Sequence, residues 1–483
     1  MPFIYILYWG FEPNCGDMTE IIPAIKNLTY PELYPKDFYL NFTEKLIWYE
    51  RSSVLRTLYL VYMIHPFLLN LVWYLIALVF LYGIKNLGQY FGINSMAIIF
   101  IQLIILFVIP YTAVGENELF YSVLSGSVFA KTLGLWAVVY FLNNKYLIGF
   151  LFLGISVWFQ SLVGLQLGLI LGIIALILYL KKEILFAKLW KSIAVFLIIV
   201  LPCLALFFIS SSSFHEHTNL FQELIEFRIG HHFYIQYTAW YHILFFYLML
   251  LFGLIFWRSE NSKVFYFLIV QQLFMIGYMI AQFTSNPSII LQTQWLKTTI
   301  WVELFFVLGL FKYSIKFKIF NFKPAYLIAG LILVIIVGAW KFNKRKDFNK
   351  DEKLLAEWVK LHTDTASLFM IPPQFNCFKS ISERSVWVDY KSVCHQTAYL
   401  APWYDRINLL YGIGLNDRRA CLNLMEKAND HYQSLSINQI KDFCQKYAVQ
   451  YFILNTSRAA DFENSQIIYK NETYCIVSCK SVF

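Results

Sequence analysis

Residues 162–180 read LVGLQLGLILGIIALILYL, an uncharged stretch that Lys181 and Lys182 follow at once. A helix that crosses the hydrocarbon core of a bilayer needs about 20 apolar residues, because its backbone groups find hydrogen-bond partners only within the helix. The stretch therefore predicts a membrane-spanning helix, and the two lysines mark one side of the membrane.

Similar apolar runs recur along the first 340 residues, at 58–84, 95–114, 128–142, 146–159, 192–210, 240–257, 264–283, 298–311 and 326–340. The N-terminal run at residues 1–11 is too short to cross a bilayer, so either it is truncated or only partly inserted, or its true start lies upstream. Counting it, about 11 helices are predicted. The chain is 59% hydrophobic and only 14% charged, far more apolar than soluble proteins. We predict a polytopic α-helical membrane protein with a bundle at 1–340 and a soluble α/β domain at 341–483.

The positions of the cationic residues predict the side of each loop, since cytoplasmic connections carry the Lys/Arg excess. They recur at alternate connections, as Lys85, Lys145, Lys181, Lys182, Lys188, Lys191, Arg258, Lys263, Lys312, Lys316, Lys318 and Lys323. We expect a cytoplasmic N-terminus and an extracytoplasmic C-terminal domain, although four cations after the last helix, at 341 and 344–346, oppose this pattern. Membrane sidedness accounts for the net charge of +9, so no nucleic-acid partner is predicted.

The C-terminal domain combines helix and strand patterns. Helices are predicted at 351–362, 400–411 and 418–432, and a capping box at Ser436 and Gln439 opens another that ends at Tyr447. Strands are predicted at 367–371, 385–389, 449–454, 466–469 and 473–478. A small mixed sheet with helices is therefore expected.

Six of the eight cysteines lie in this domain: Cys377, Cys394, Cys421, Cys444, Cys475 and Cys479. Their even number fits disulfides in an oxidising compartment, and buried thiols explain them equally well. In a strand, Cys475 and Cys479 would lie too far apart to bond to each other. The pairing stays open, and the absence of a CxxC motif argues against zinc.

Carboxylates supply the candidate catalytic groups. Asp17, with Glu20 as its partner, lies in the long first outer loop at 12–56 and could act as a general base on an acceptor hydroxyl. Glu116 and Glu118 follow the helix at 95–114 and are expected to meet them as a supporting pair. Solvated loop or turn residues are the alternative. A divalent cation at these acids is the one cofactor considered, and no metal ligands are assigned.

Basic and buried polar side chains supply candidate phosphate and substrate ligands. In the outer segment 211–239, Arg228, His231 and His232 could grip a phosphate or sugar. Lys297 could bind phosphate as a point charge, with snorkelling to the headgroups as the alternative. Glu303 lies within an apolar run, where an ionisable group usually faces a cavity or a partner.

In the soluble domain, Arg384 and Lys391 flank a predicted strand end, a common place for binding groups. Structural ion pairs would explain these two residues as well.

The order of these segments resembles the GT-C superfamily of membrane glycosyltransferases, and most closely an uncharacterised bacterial branch of it. The matching elements are Asp17 with LYPKD at 33–37, the stretch 130–164, Arg228 with His231 and His232, the segment 292–297, and Pro372-Pro373 with RSVWVDYK at 384–391. The chain departs from the pattern at Gln160, where a histidine is expected, and at Lys131 and Lys297, where arginines are expected. Its first loop also lacks the adjacent acidic pair of some members.

The resemblance implies a bacterial inner-membrane enzyme that moves a sugar from a polyprenyl-phosphate carrier to a glycan, lipid or protein acceptor outside the cytoplasm. It implies Asp17 as base, Glu116 or Glu118 as supporting acid, and Lys297 or Arg228 as the phosphate clamp, gathered in one outward cavity. Two alternatives remain open: a non-catalytic subunit of a cell-envelope or secretion complex that contacts other envelope proteins, and a lipid or sugar transporter.

Overall fold

The computed structural model of the protein describes residues 11, 13–107, 114–115, 117–211, 218–284, 288–318, 324–347, 350–420 and 423–481. By its internal contacts the chain divides into two compact units. The bundle unit comprises Met1–Phe11, Asn70–Phe208 and Arg228–Phe342, and the α/β unit comprises Glu12–Leu69, Ile209–Phe227 and Asn343–Phe483. Residues 12–56, predicted as an outer loop of the bundle, thus belong by their contacts to the same unit as the C-terminal residues.

Six helices of the described chain are long and apolar enough to cross a membrane: Leu68–Tyr90, Ser161–Leu180, Phe186–Ser210, Trp240–Glu260, Ser262–Thr284 and Trp295–Lys316. The prediction of a helical, multi-pass membrane protein is confirmed at this level. Four further predicted spans begin at 95, 128, 146 and 326, and they correspond to Ser95–Phe107, Gly126–Leu142, Tyr146–Phe159 and Pro324–Asp347. The N-terminal run at 1–10 lies outside the described residues.

The predicted span at 58–84 is wrong in its boundaries, because the structure divides it into Ser52–Ile64 and Leu68–Tyr90. Between them His65 is extended, with φ −167° and ψ 130°. Pro66 explains the break, since proline pushes the preceding residue out of the helical region and cannot donate a backbone hydrogen bond.

The α/β unit contains a five-stranded mixed sheet. In spatial order its strands are Ser385–Val386, Leu368–Met370, Tyr451–Asn455, Tyr474–Ser478 and Ile467–Lys470. The first three run parallel, and the last two pair antiparallel. The predicted mixed sheet is confirmed, although the strand expected at 385–389 is only two residues long.

Helices surround this sheet, at Met18–Thr29, Phe38–Thr43, Lys350–His362, Phe378–Ser382, Thr397–Tyr411, Leu415–Ala420, Leu424–Ser434 and Ile437–Tyr447. The capping box at Ser436 and Gln439 is present as predicted. The single helix predicted at 418–432 is instead two helices on either side of 421–422. Buried Leu355, Val359, Phe369, Val386, Ile453 and Ile476 form part of the core between helix and sheet.

Two disulfides join segments of the α/β unit. Cys15 bonds Cys377 across 362 residues, and Cys444 bonds Cys479 across 35. The sequence led us to expect disulfides within the C-terminal domain. That expectation was too narrow, because Cys15, the partner of Cys377, lies near the N-terminus. Cys475 is a buried free thiol, as is Cys394, and Cys421 lies outside the described residues.

Candidate functional site

A buried cation lies inside the apolar bundle unit, on the second turn of the helix Gly126–Leu142. Lys131 is only 1% exposed. Its ammonium group donates to the side-chain oxygen of Asn117 at 3.2 Å and to the backbone carbonyl of Glu118, and it lies 4.4 Å from the centroid of the Tyr121 ring. An ammonium ion in such surroundings needs these oxygens, because desolvating a charge is costly.

The turn that supplies these oxygens requires a glycine at position 115. Gly115 has φ +77°, and a Cβ at this position would lie 3.2 Å from the Cβ of Leu296 and 3.4 Å from the carbonyl oxygen of His231. No side chain fits there without strain. The close approach lets the Asn117 amide donate to the carbonyl of Lys297 at 2.9 Å. The predicted residues Glu118, His231 and Lys297 are thereby brought to one place.

The histidine pair belongs to the same place. The two rings of His231 and His232 have centroids 4.0 Å apart. Nδ1 of His232 lies 2.7 Å from the carbonyl oxygen of Gly115. A carbonyl oxygen only accepts, so Nδ1 is the donor and Nε2 is left to accept or to bind a proton.

Burial and mutual repulsion disfavour the protonated forms of the nitrogen groups gathered here. Burial lowers the pKa of His232 well below its usual value, and the nearby charges of Lys297, His231 and Lys131 lower it further. The hydrogen bond to the Gly115 carbonyl acts in the opposite direction. We call Lys131, His231, His232 and Lys297 the basic cluster. Cations held close together disfavour one another, and an anion such as a phosphate relieves that repulsion.

Buried polar side chains continue from the basic cluster into the bundle. Gln166 donates to the carbonyl of Gln294 at 3.1 Å, and Gln271 donates to the hydroxyl of Thr298 at 2.9 Å. Glu303 is fully buried on the helix Thr299–Lys316, as its place in an apolar run predicted. Arg228 is partly buried on the helix Thr218–Phe233, and Glu116 lies outside the described residues.

In the α/β unit, Asp17 and Lys391 form an ion pair at 2.7 Å, with side chains 45% and 38% exposed. Glu20 is buried instead and pairs with Arg51, and it also accepts a hydrogen bond from the backbone of Val393 at 3.4 Å. Of the two acids, only Asp17 is open to a reactant in solution.

Arg384 has no donor left for a substrate. Its five N–H groups bond the hydroxyl of Thr363 and the backbone carbonyls of Lys360, Thr363, Ser382 and Glu383, at 2.7 to 3.2 Å. A guanidinium group has five donors, so all of them are used within the α/β unit. We therefore assign Arg384 a structural role in place of the predicted binding role.

Sequence reasoning did not find the buried charges of the α/β unit. Lys379 lies 2.8 Å from a carboxylate oxygen of Asp389 and 3.7 Å from one of Asp37, and all three side chains are at most 8% exposed. Burial raises the pKa of Asp37, and Lys379 opposes that rise. Burial also disfavours the charged form of Asp389, but Lys379 and Ser392 hold its pKa below the usual value. Asp37 comes from a segment far from Lys379 and Asp389 in sequence, so no local pattern joins it to them.

No group of three or more histidine, cysteine or acidic side chains that could hold a metal ion occurs among the residues described by the structure.

The fold and these polar groups define a multi-pass helical membrane protein with an attached α/β unit. A family model described as Domain of unknown function (DUF6798) matches residues 350–410. That segment contains Lys379, Arg384, Asp389 and Lys391. No curated protein matches the chain.

Proposed function

We propose that the protein is a membrane glycosyltransferase of the GT-C type, which moves a sugar from a polyprenyl-phosphate carrier to an acceptor outside the cytoplasm. The observation that carries the proposal is the basic cluster in the bundle unit. Two lysines and two histidines surround a glycine turn within an apolar protein, where a phosphate with a hydrocarbon tail can be held at its charged end.

The proposal includes the sidedness expected from the sequence, with about 11 helices, a cytoplasmic N-terminus and the α/β unit outside the bacterial inner membrane. Two disulfides in the α/β unit support an oxidising compartment. The helix Gly126–Leu142 carries Lys131 near its start, and its last residue accepts a hydrogen bond from Lys263 in the lysine-rich region. The basic cluster therefore lies near the end of this helix that is remote from the cytoplasmic lysines.

Asp17 is proposed as the base that activates the acceptor hydroxyl. Its side chain is 45% exposed, which supports a carboxylate that an acceptor hydroxyl can reach. The predicted cavity that unites Asp17 with Glu118, Arg228 and Lys297 stays a prediction.

Binding of the carrier is the first test. We expect detergent-purified protein to bind a polyprenyl monophosphate and not the uncharged polyprenol, and Lys297→Gln to bind it about tenfold more weakly, since one charge-assisted contact is lost. Native mass spectrometry or a thermal shift measures both. Lys85→Gln, an exposed lysine outside the cluster, should bind as the unmodified protein does. Equal binding of the alcohol and the phosphate would refute a phosphate site.

Sugar transfer is the second test. With a panel of polyprenyl-phosphate monosaccharides and a membrane lipid extract as acceptor, we expect Asp17→Asn to lower transfer about 100-fold while carrier binding is unchanged.

The non-catalytic alternative is favoured by one observation, that both Asp17 and Glu20 are engaged in ion pairs. If the protein binds the carrier and the Asp17→Asn variant fully complements a deletion strain, that alternative is correct and the catalytic role fails.

A further inference from the structure

The lysine-rich end of the bundle unit contains a second basic site, centred on one aromatic ring. Tyr146 is 4% exposed and is the first residue of the helix Tyr146–Phe159. The ammonium groups of Lys188 and Lys263 lie 5.2 and 5.3 Å from the centroid of its ring. Two cations are thus held against a single ring, within the distance of a cation–π contact.

Hydrogen bonds fix the position of this ring and one of its cations. The hydroxyl of Tyr146 donates to the side-chain oxygen of Asn144 at 2.8 Å, and Lys263 donates to the same oxygen at 2.5 Å. Lys263 also donates to the carbonyl of Leu142 at 3.1 Å. Lys188 is exposed, so one cation is anchored while the other faces the surroundings.

Three helices begin around this ring, and their N-termini add positive potential to the site. The helices Tyr146–Phe159, Phe186–Ser211 and Ser262–Thr284 each start within a few residues of a side chain at the site. The N-terminus of a helix carries a partial positive charge and unpaired N–H groups. The exposed Glu183 acts electrostatically on both Tyr146 and Lys263, so one negative charge opposes two lysines and the helix N-termini. The potential of this site therefore favours an anion.

Apolar side chains on the same helices favour an anion that is attached to a hydrocarbon tail. Leu147 and Leu151 are 46% and 38% exposed, and Phe186 and Trp190 are 61% and 57% exposed. In a membrane helix such residues face acyl chains. A free phosphate would make no use of these surfaces.

We infer that this site binds the headgroup of an anionic phospholipid, with its phosphate near Lys188 and Lys263. The ligand is a membrane lipid and not the sugar carrier, and the site shares no residue with the basic cluster. The inference therefore stands independently of the proposed glycosyltransferase activity.

The experiment uses the full-length protein purified in a neutral detergent, with phosphatidylglycerol and phosphatidylcholine as probes in native mass spectrometry. We expect phosphatidylglycerol to be retained in preference to phosphatidylcholine. The double variant Lys188→Gln with Lys263→Gln should bind phosphatidylglycerol about tenfold more weakly, because each lysine near a headgroup contributes to affinity.

The matched control removes two other lysines that lie close to Lys188 in sequence, Lys182→Gln with Lys191→Gln, so that the net charge is equal. It should bind phosphatidylglycerol as the unmodified protein does. Equal losses in both double variants would mean that the whole surface acts as a diffuse charge, and no specific site exists. Displacement of the lipid by millimolar glycerol phosphate would show a free phosphate site and overturn the assignment to a lipid. Lys188→Gln alone, an exposed position, provides the same comparison if the double variant does not fold.

Discussion

Lys379→Met is expected to destabilise the α/β unit by about 4 kcal/mol, because it leaves two buried carboxylates without their cation. Lys379 bonds Asp389 and the hydroxyl of Ser392, both at 2.8 Å. Asp37, on the other side of it, is fully buried. Removing one member of a buried ionic group costs more than the group contributes as a whole, since the remaining charges stay desolvated. Thermal unfolding of the purified chain should show a fall of about 10 °C in the melting temperature of this unit.

The destabilisation by Lys379→Met should depend on pH, and the direction of that dependence identifies the buried carboxylates as its cause. Without Lys379, burial raises the pKa of Asp37 and Asp389 in the folded state above the unfolded value near 3.9. A group with a raised pKa contributes stability at low pH that is lost as the pH rises through its folded pKa. The variant should therefore lose less stability at pH 5 than at pH 8, when each is compared with the unmodified protein.

Two controls separate charge from packing. Lys391→Gln breaks an exposed pair of the same chemistry with Asp17, and it should change stability by about 0.5 kcal/mol or less. Adding Asp37→Asn and Asp389→Asn to Lys379→Met should restore most of the lost stability, because no uncompensated charge remains. A triple variant that is as unstable as Lys379→Met would show that the lysine acts through its packing.

Local patterns were enough to predict most of the C-terminal elements. The capping box at Ser436 fixes a helix start through its own hydrogen bonds, and the strands at 449–454 and 473–478 are short apolar runs bounded by turn residues. The break at Pro66 also had a local signal, since a proline inside an apolar run interrupts a helix. The hydropathy of the run alone does not show this break.

Long-range contacts could not be predicted in this way. Nothing near Cys15 indicates a partner 362 residues away, and nothing near Asp37 indicates Lys379. Lys131 was noted only as a departure from a family pattern, although an ionisable group inside an apolar run is itself a signal of function. Lys297, His231 and His232 are candidates that the sequence offers, and their binding role stays a prediction.

The disulfide between Cys15 and Cys377 is the second contact whose loss should have a large effect. Cys15→Ser with Cys377→Ser is expected to lower the stability of the α/β unit by about 3 kcal/mol, the usual contribution of a native disulfide. The bond fixes the first segment to the helix Phe378–Ser382, where Lys26 also pairs with Glu383 at 2.6 Å. That pair is largely buried, and the cost of desolvating its charges offsets much of their attraction, so it does not replace the covalent bond.

Thermal unfolding with and without reductant measures this loss. Reductant should lower the melting temperature of the unmodified protein more than that of the double variant, which lacks this bond. Cys475→Ser is the matched control, since its thiol is free and lies 3.6 Å from the carbonyl of Asn455, to which a serine can also donate. This control should respond to reductant as the unmodified protein does. If the double variant melts at the same temperature as the control in the absence of reductant, the non-covalent contacts alone hold the first segment, and its place in the α/β unit does not depend on an oxidising compartment.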